Sequence, residues 1–336
     1  MNTKRTYPTV AQIASEAHVS PATVSRVLNH QGIVKKETYD TVLSVLQKYH
    51  YPFEEKQASA AAKNNLLILN APSFENPFYN EIIQGAKTGA VRHGYHLVIN
   101  EDIFNHNTLP RFLELVKKIN AAGLITLNAI PLNILQAISK EITVVQCCEF
   151  QEELDLPYVS VDDFNAGKTA TEHLLSQGCK RIAFLSGPPE YKYARYRYQG
   201  YQQALLTAGI QPNPALVVQF MEINYELAIT TTMQMLRSAN PPDGFVTTSD
   251  VYAASVIRGA HLVGFRVPHD LKVVGFDNID ISSMTTPSIT TISQPKIRLG
   301  LMAAELLVEK IQCPSISNKG VLLETELIVR ESSSLS

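Results

Sequence analysis

At 336 residues, 45% hydrophobic and 18% charged, the chain has an ordinary globular composition and exceeds the usual size of a single core, so two or three domains are expected. No apolar run is long enough to cross a bilayer, and the opening MNTKRTYPTV carries positive charge without the apolar segment of a secretion signal, so a cytoplasmic protein with no membrane partner is expected. The net charge of −2 argues against nucleic acid only until the chain is divided: residues 1–63 carry eight Lys/Arg against five Asp/Glu, a net of +3 that leaves −5 on the rest. A small basic head on an acidic body suits a DNA-binding unit attached to a domain with another task, and so slight an excess implies that binding needs a dimer.

In chain order, the first predicted element is a helix from Thr9 onward, with Val10, Ile13, Ala14 and Ala17 at i, i+3, i+4, i+7 spacing on one face. Ser20 is placed as an N-cap with Pro21 at the first helical position of a second helix, whose inner face is Val24, Val27 and Leu28. Two short helices joined by a tight turn form a helix-turn-helix, although a three-helix bundle with an idle exposed face fits the spacing equally well. The candidate DNA contacts are Thr9 and Gln12 on the first helix, Ser20, Pro21, Ala22, Thr23, Ser25, Arg26 and Asn29 on the second, and His30 beyond it. A third helix is predicted over 36–49, with Tyr39, Val42, Leu43, Leu46 and Tyr49 on one face, and Pro52 ends it. The polar, Ala-rich stretch that follows reads as a linker able to become helical.

From Leu66 short apolar strands alternate with amphipathic helices. Strands are predicted over 66–70, 96–100, 123–127, 143–146, 158–161, 181–186, 216–219, 244–248, 272–275 and 290–293, with helices such as 80–93 and 167–177 between them. That alternation means parallel, doubly wound α/β sheets, and ten strands are enough for two of them.

The wording of the head decides between its two readings. Ala14, Ala17, Val19, Ser20, Ala22, Thr23, Val24, Ser25, Arg26, Val27, Leu28 and Asn29 make up a phrase that resembles the N-terminal signature of LacI/GalR-type bacterial transcription regulators. His18 departs from it, standing where the family usually has a turn Gly, and His tolerates positive φ better than most residues. The resemblance continues through SFENPFYNEIIQGA (73–86), VSVDDFNAG (159–167), GCKRIAFLSGP (178–188), RYQGYQQAL (197–205), TTSDVYAAS (247–255), VVGFDNID (273–280) and PSITTISQP (287–295). It implies a head over 1–51, a linker over 52–64, and a two-lobed, periplasmic-binding-protein-like body over 65–336 that binds an effector and dimerises. The lobes are expected to be discontinuous, roughly 65–158 plus 295–320, and 159–292 plus 321–336.

Ligands of open α/β sheets sit at the carboxyl ends of the strands. That rule singles out Phe74 and Phe78, Asp162, Arg197, Asp250 and Asp277, with Tyr191 and Tyr225 in neighbouring loops. Core packing for the aromatics, helix capping for Asp162 and a surface ion pair for Arg197 are the plainer readings. The family resemblance raises Arg197 and Asp277, which match effector-contacting positions. EFQEELDLP (149–157) and the phrase over 187–201 are similar to a nucleoside-responsive branch of the family. That likeness implies cytidine or a related nucleoside as effector, with cooperation with the cAMP receptor protein as its target. Gln57 and Ser59 stand where many members have an Arg and a Leu, the Leu wedging into the minor groove, so looser operator binding is expected. The alternatives are a sugar-responsive repressor of a catabolic operon and, more remotely, a transporter's solute-binding protein. The resemblance implies a homodimer on a pseudo-palindromic operator. No P-loop, GxSxG or HExxH motif occurs, the nine histidines are scattered, and Cys147, Cys148, Cys179 and Cys313 lack metal-ligand spacing. No catalytic residue, metal or cofactor is expected, and the adjacent Cys147 and Cys148 read as buried thiols.

Overall fold

The computed structural model describes residues 8–28, 36–49, 51, 65–73, 76–222 and 224–334, and the chain divides into two compact units, Met1–Lys63 and Asn64–Ser336. The first unit holds α1 (Val10–Glu16), α2 (Pro21–Leu28) and α3 (Lys36–Lys48). Thr9 starts α1 with a capping box: its side chain accepts from the Gln12 amide while the Gln12 side chain accepts from the Thr9 amide. His18 takes φ 52°, so the turn keeps its left-handed residue without Gly, and the Ser20 hydroxyl then accepts from the Thr23 amide at 3.1 Å. Ile13, Ala14, Ala17, Val24, Val27, Val42, Val45 and Leu46 are buried together. On α3 the buried stripe includes Val45, whereas Tyr49 lies outside it, exposed, with its hydroxyl donating to Glu16. Gln57 and Ser59 lie outside the described residues.

The second unit runs β1 (Leu66–Asn70), α4 (Phe78–Arg92), β2 (His96–Asn100), α5 (Leu109–Ile119), β3 (Gly123–Thr126), α6 (Leu132–Glu141), β4 (Thr143–Cys147) and β5 (Tyr158–Val161). It continues with α7 (Asp163–Ser176), β6 (Ile182–Ser186), α8 (Lys192–Thr207), β7 (Val217–Gln219), α9 (Tyr225–Leu236), β8 (Gly244–Thr247), α10 (Asp250–Leu262), β9 (Lys272–Asp277), α11 (Ile281–Met284) and β10 (Thr290–Ser293). The last elements are α12 (Lys296–Gln312), β11 (Gly320–Leu323) and β12 (Glu326–Ile328).

Two six-stranded sheets result, ordered β11-β5-β4-β3-β1-β2 and β12-β10-β9-β8-β6-β7. All pairings are parallel except β12 against β10. Strand alternation explains why both faces of each sheet are apolar. In β1, Leu67 and Leu69 pack with Ile82, Ala86, Leu299 and Ala303 of α4 and α12, while Ile68 faces Phe112, Ile134 and Ile138 of α5 and α6. In β6, Ile182 and Phe184 pack against α7 and α8, whereas Ala183 and Leu185 join the α10 side with Tyr252 and Val256. Burying each such aliphatic side chain contributes about 2 kcal/mol before entropy is counted.

The chain passes between the lobes after β5, after β10 and after β11. The expected split is corrected in detail: β5 and β11 both pair within the first sheet, so residues 159–161 and 321–323 belong to the first lobe. Strands β11 and β12 had no counterpart in the sequence expectations. They are short, and β11 carries exposed residues along an edge. Helices α7 and α8 approach backbone to backbone through Gly167 and Gly200. A Cβ on Gly167 would meet the Arg197 carbonyl oxygen at 2.4 Å, and one on Gly200 the Phe164 oxygen at 2.1 Å. This close contact brings the start of α7 beside Arg197.

Candidate DNA interface and ligand cleft

On the head, Ser20, Pro21, Ala22, Ser25 and Arg26 are exposed and Thr23 is half-buried, while Val24 and Val27 face the core. The exposed set is small except for Arg26, so α2 presents a slim face with one long basic side chain, a shape suited to entering a major groove. Thr9 and Gln12 are exposed but are engaged with each other through the capping box. Asn29 and His30 lie outside the described residues.

In the body, a cluster of buried charges spans the two lobes. Asp163, the first residue of α7, receives Arg197 Nε at 2.8 Å on one oxygen and Lys192 Nζ on the other. Lys192 Nζ also donates to Ser160 Oγ of β5 at 3.0 Å. Burial pushes the Asp163 carboxyl up, but the two cations outweigh it and hold the group below the usual carboxylate range. Arg197 Nη1 donates to the Thr248 carbonyl at 2.9 Å, and its guanidinium lies over the Phe276 ring at 3.4 Å and the Tyr193 ring at 4.8 Å. Those contacts fix the fork with Nη1 4.0 Å from Asp277 Oδ1.

Asp277 ends β9 with φ 101°, and Asn278 follows at φ 52°. Lys296 of α12 holds this left-handed turn, donating to the carbonyls of Asp277 at 2.7 Å and Asn278 at 2.9 Å. Gln294 Nε2 donates to Asp277 Oδ1 at 2.7 Å. Burial pushes the Asp277 carboxyl up, and the Arg197 guanidinium pulls it partly back. Asp250 is wholly buried, accepting from Thr291 Oγ1 at 2.6 Å and the Ile279 amide at 2.9 Å. Burial and the neighbouring Asp277 push it up to about 8. Both of its oxygens are thus engaged in supporting the Asp277 turn.

Glu149, in the loop after β4, reaches across to the start of α8. Its carboxyl accepts from the backbone amides of Lys192 at 2.6 Å and Tyr193 at 3.1 Å, so it caps a helix of the other lobe that its own N-cap residue, Tyr191, leaves uncapped. Burial pushes Glu149 up to about 7, with the Lys192 charge opposing.

The carboxyl edge of the first sheet is polar inside. Asn100, Asn70, Thr126 and Gln146 stand in one register row across β2, β1, β3 and β4. Asn70 Oδ1, Asn100 Nδ2, Thr126 Oγ1 and Gln146 Nε2 are buried and make no hydrogen bond to the protein, as is also true of Asn128 Oδ1 just beyond β3. Unpaired buried polar atoms are costly, and here they gather at the strand ends where α/β sheets take ligands.

Of the residues singled out in the sequence, Arg197, Asp250 and Asp277 come together. Tyr191 stacks on Tyr193 at 5.6 Å, beside the same group. Asp162 is engaged instead in capping α7, accepting from the Asn165 amide at 2.9 Å, and its neighbour Asp163 takes the place beside Arg197. Phe78 is packed in the core of the first lobe. Tyr225 is exposed at the start of α9, with no described contact to this group. Phe74 lies outside the described residues. Of the expected buried thiols, Cys147 is buried and Cys148 half-buried, and all four cysteines are free. The sequence reading did not mark Glu149, Lys192, Tyr193, Gln294 or Lys296. Among the described residues no group of three or more His, Cys, Asp or Glu could hold a metal ion, and no helix is long and apolar enough to cross a membrane.

A helix-turn-helix head joined to a two-lobed α/β body with a charged cleft defines a ligand-responsive DNA-binding regulator. Residues 9–52 match the bacterial regulatory proteins of the lacI family, and residues 171–333 match the periplasmic binding protein-like domain. Over 332 residues the chain is 31% identical to the HTH-type transcriptional repressor CytR of Escherichia coli (strain K12), covering 98% of this chain and 97% of that one. The ribose operon repressor of Halalkalibacterium halodurans is 32% identical over 325 residues, 96% of each chain. The solved complex of the transcriptional regulator CelR with cellobiose matches with a TM-score of 0.73 and 26% identity, over 97% of this chain and 99% of that one. The chain belongs to the lacI family of bacterial regulatory proteins and is a transcriptional repressor with an effector-binding domain, not an enzyme.

Proposed function

We propose that this repressor acts in the cytoplasm as a homodimer whose two α2 helices read successive major grooves of a pseudo-palindromic operator, and that cytidine or a related nucleoside is its effector. Arg26 supplies the principal side-chain contact of each head. The observation that carries the effector reading is the Arg197–Asp277 pair, a guanidinium locked by Asp163 and Thr248 facing a carboxylate locked by Gln294. A carboxylate accepts both hydroxyls of a ribose at once, a guanidinium donates to a base carbonyl, and neighbouring aromatic rings can stack on a base. The likeness of the sequence to the cytidine repressor of enteric bacteria supports the nucleoside. The small basic excess of the head supports reliance on a partner, for which we propose the cAMP receptor protein. The ligand contacts the second lobe at Arg197 and Asp277, and the polar edge of the first lobe closes on it, so occupancy selects one lobe arrangement and with it one spacing of the heads.

A sugar effector is the second reading, favoured by the ribose operon repressor among the relatives and by the row from Asn100 to Gln146, whose mixed donors and acceptors suit a polyol. Calorimetry of the whole protein with cytidine, adenosine, ribose and cellobiose separates the two. The nucleoside reading expects heat with cytidine and a loss of about tenfold to a hundredfold in affinity for Asp277→Asn. Silence toward both nucleosides would overturn it, and heat with ribose or cellobiose alone would carry the sugar reading.

A further inference from the structure

A cavity of about 430 Å³ is lined by Asp163 and Lys192 but by neither Arg197 nor Asp277. Its volume lies within the range of small-molecule sites. Much of its wall is aromatic. Phe150 and Tyr158 stack face to face, 3.9 Å between centroids and 8° between planes, and Tyr196 of α8 supplies a third ring. Within the lining the Lys192 charge stands against Asp163, which it bonds along with Ser160, and Lys192 also lies over the rings of Phe150 at 5.0 Å and Tyr196 at 5.8 Å. The more open charged side chains are both acidic. Glu152 is exposed and positioned by the Tyr196 hydroxyl, which donates to it, and Asp162 is half-buried. Lys192 is the one basic residue of the lining.

We propose that this cavity is a second small-molecule site, for an organic cation that lays an aromatic ring against Phe150, Tyr158 and Tyr196 and leaves its ammonium group beside Glu152 and Asp162. Ring stacking and cation–π contact give such a ligand its affinity, and the acidic rim selects its charge. The lining crosses between lobes: Phe150, Tyr158 and Leu322 come from the first, Lys192 and Tyr196 from the second. A bound cation therefore favours the arrangement in which α8 lies against the 150–158 segment. It couples to the cleft through Asp163, whose other oxygen holds Arg197. The site does not depend on whether the effector at Arg197 and Asp277 is a nucleoside or a sugar.

Phenethylamine tests the proposal on the full chain, with 3-phenylpropionate as the probe of equal ring and opposite charge, read by calorimetry and thermal shift. Phenethylamine is expected to bind and raise the melting midpoint, and the carboxylate to bind at least about fivefold more weakly. Leu322→Trp, at a residue 53% exposed on the cavity wall, fills the space without touching the core and should abolish binding. Glu152→Gln on the surface should weaken it about threefold. No binding of phenethylamine at millimolar concentration overturns the proposal. So does equal binding of the carboxylate, or unchanged affinity in Leu322→Trp or in Glu152→Gln.

Discussion

Replacing Glu149 by Gln is expected to flatten the dependence of stability on pH and to make the wild-type and variant curves cross. Glu149 is 5% exposed, and its carboxyl meets two backbone amides of α8 at 2.6 and 3.1 Å. Burial lifts it from 4.5 to about 7, so between those values the folded state holds a proton that the unfolded chain has released. The stabilisation is full below about pH 4.5 and is lost as pH rises through 7. At about 1.4 kcal/mol per pH unit, that interval is worth about 3 kcal/mol. Asp250, lifted to about 8, adds loss of the same sign and remains in the variant. Gln keeps one acceptor for α8 but turns its amide toward the second backbone donor, at a cost of about 1 kcal/mol. The variant should therefore be less stable than wild type by about 1 kcal/mol near pH 4, cross it near pH 5, and be more stable by about 2 kcal/mol near pH 8. Urea unfolding midpoints across that range read this directly. Parallel curves would show that Glu149 is not the group that releases its proton, and the argument from burial would fail.

Asp163→Asn leaves Lys192 and Arg197 buried without their shared carboxylate, so denaturation should show a loss of about 3–5 kcal/mol, partly recovered by adding Lys192→Met. A loss under about 1 kcal/mol would mean that the cations have found other partners. Arg26→Ala should leave the melting midpoint unchanged and weaken operator binding by about 1–3 kcal/mol in a gel-shift titration. Unchanged operator affinity would show that α2 is not the recognition helix.

The ten strands expected from the sequence lie at or within a residue or two of their observed limits, because each is a short apolar run bounded by turn residues or helix starts. Strands β11 and β12 escaped because a three- or four-residue edge strand with exposed positions carries no such contrast. At the candidate site, the nearness of Arg197 and Asp277 was legible from their positions within family phrases. The choice of Asp162 over Asp163 was not: helix α7 begins at Asp163, so one carboxylate faces back to cap and the next faces α8, a difference of phase that two adjacent aspartates conceal. Lys192, Lys296 and Glu149 read as surface residues by type, and only the packing of the lobes buries them. The polar row was hidden for a related reason. Asn70, Thr126 and Gln146 each look like the polar end of an apolar strand, and their alignment exists only across the sheet.

Three of the anchors that hold the Arg197–Asp277 pair belong to the opposite lobe, which would suit the pair to the sensing role proposed for it. Glu149 fixes the first turn of α8, Ser160 fixes Lys192, and Lys296 fixes the turn that carries Asp277. Such bonds are directional, and several exchange readily with water when the lobes separate, unlike the close-packed faces within each lobe. A change in lobe angle therefore withdraws these three anchors from Arg197 and Asp277, which both stay on the second lobe, without unfolding either lobe. By reciprocity, a ligand that bonds this pair and the polar edge of the first lobe together would restrict the lobe angle, and a tenfold preference for one angle shifts the balance by only about 1.4 kcal/mol. One or two well-aimed hydrogen bonds to a buried charge are enough to supply that difference.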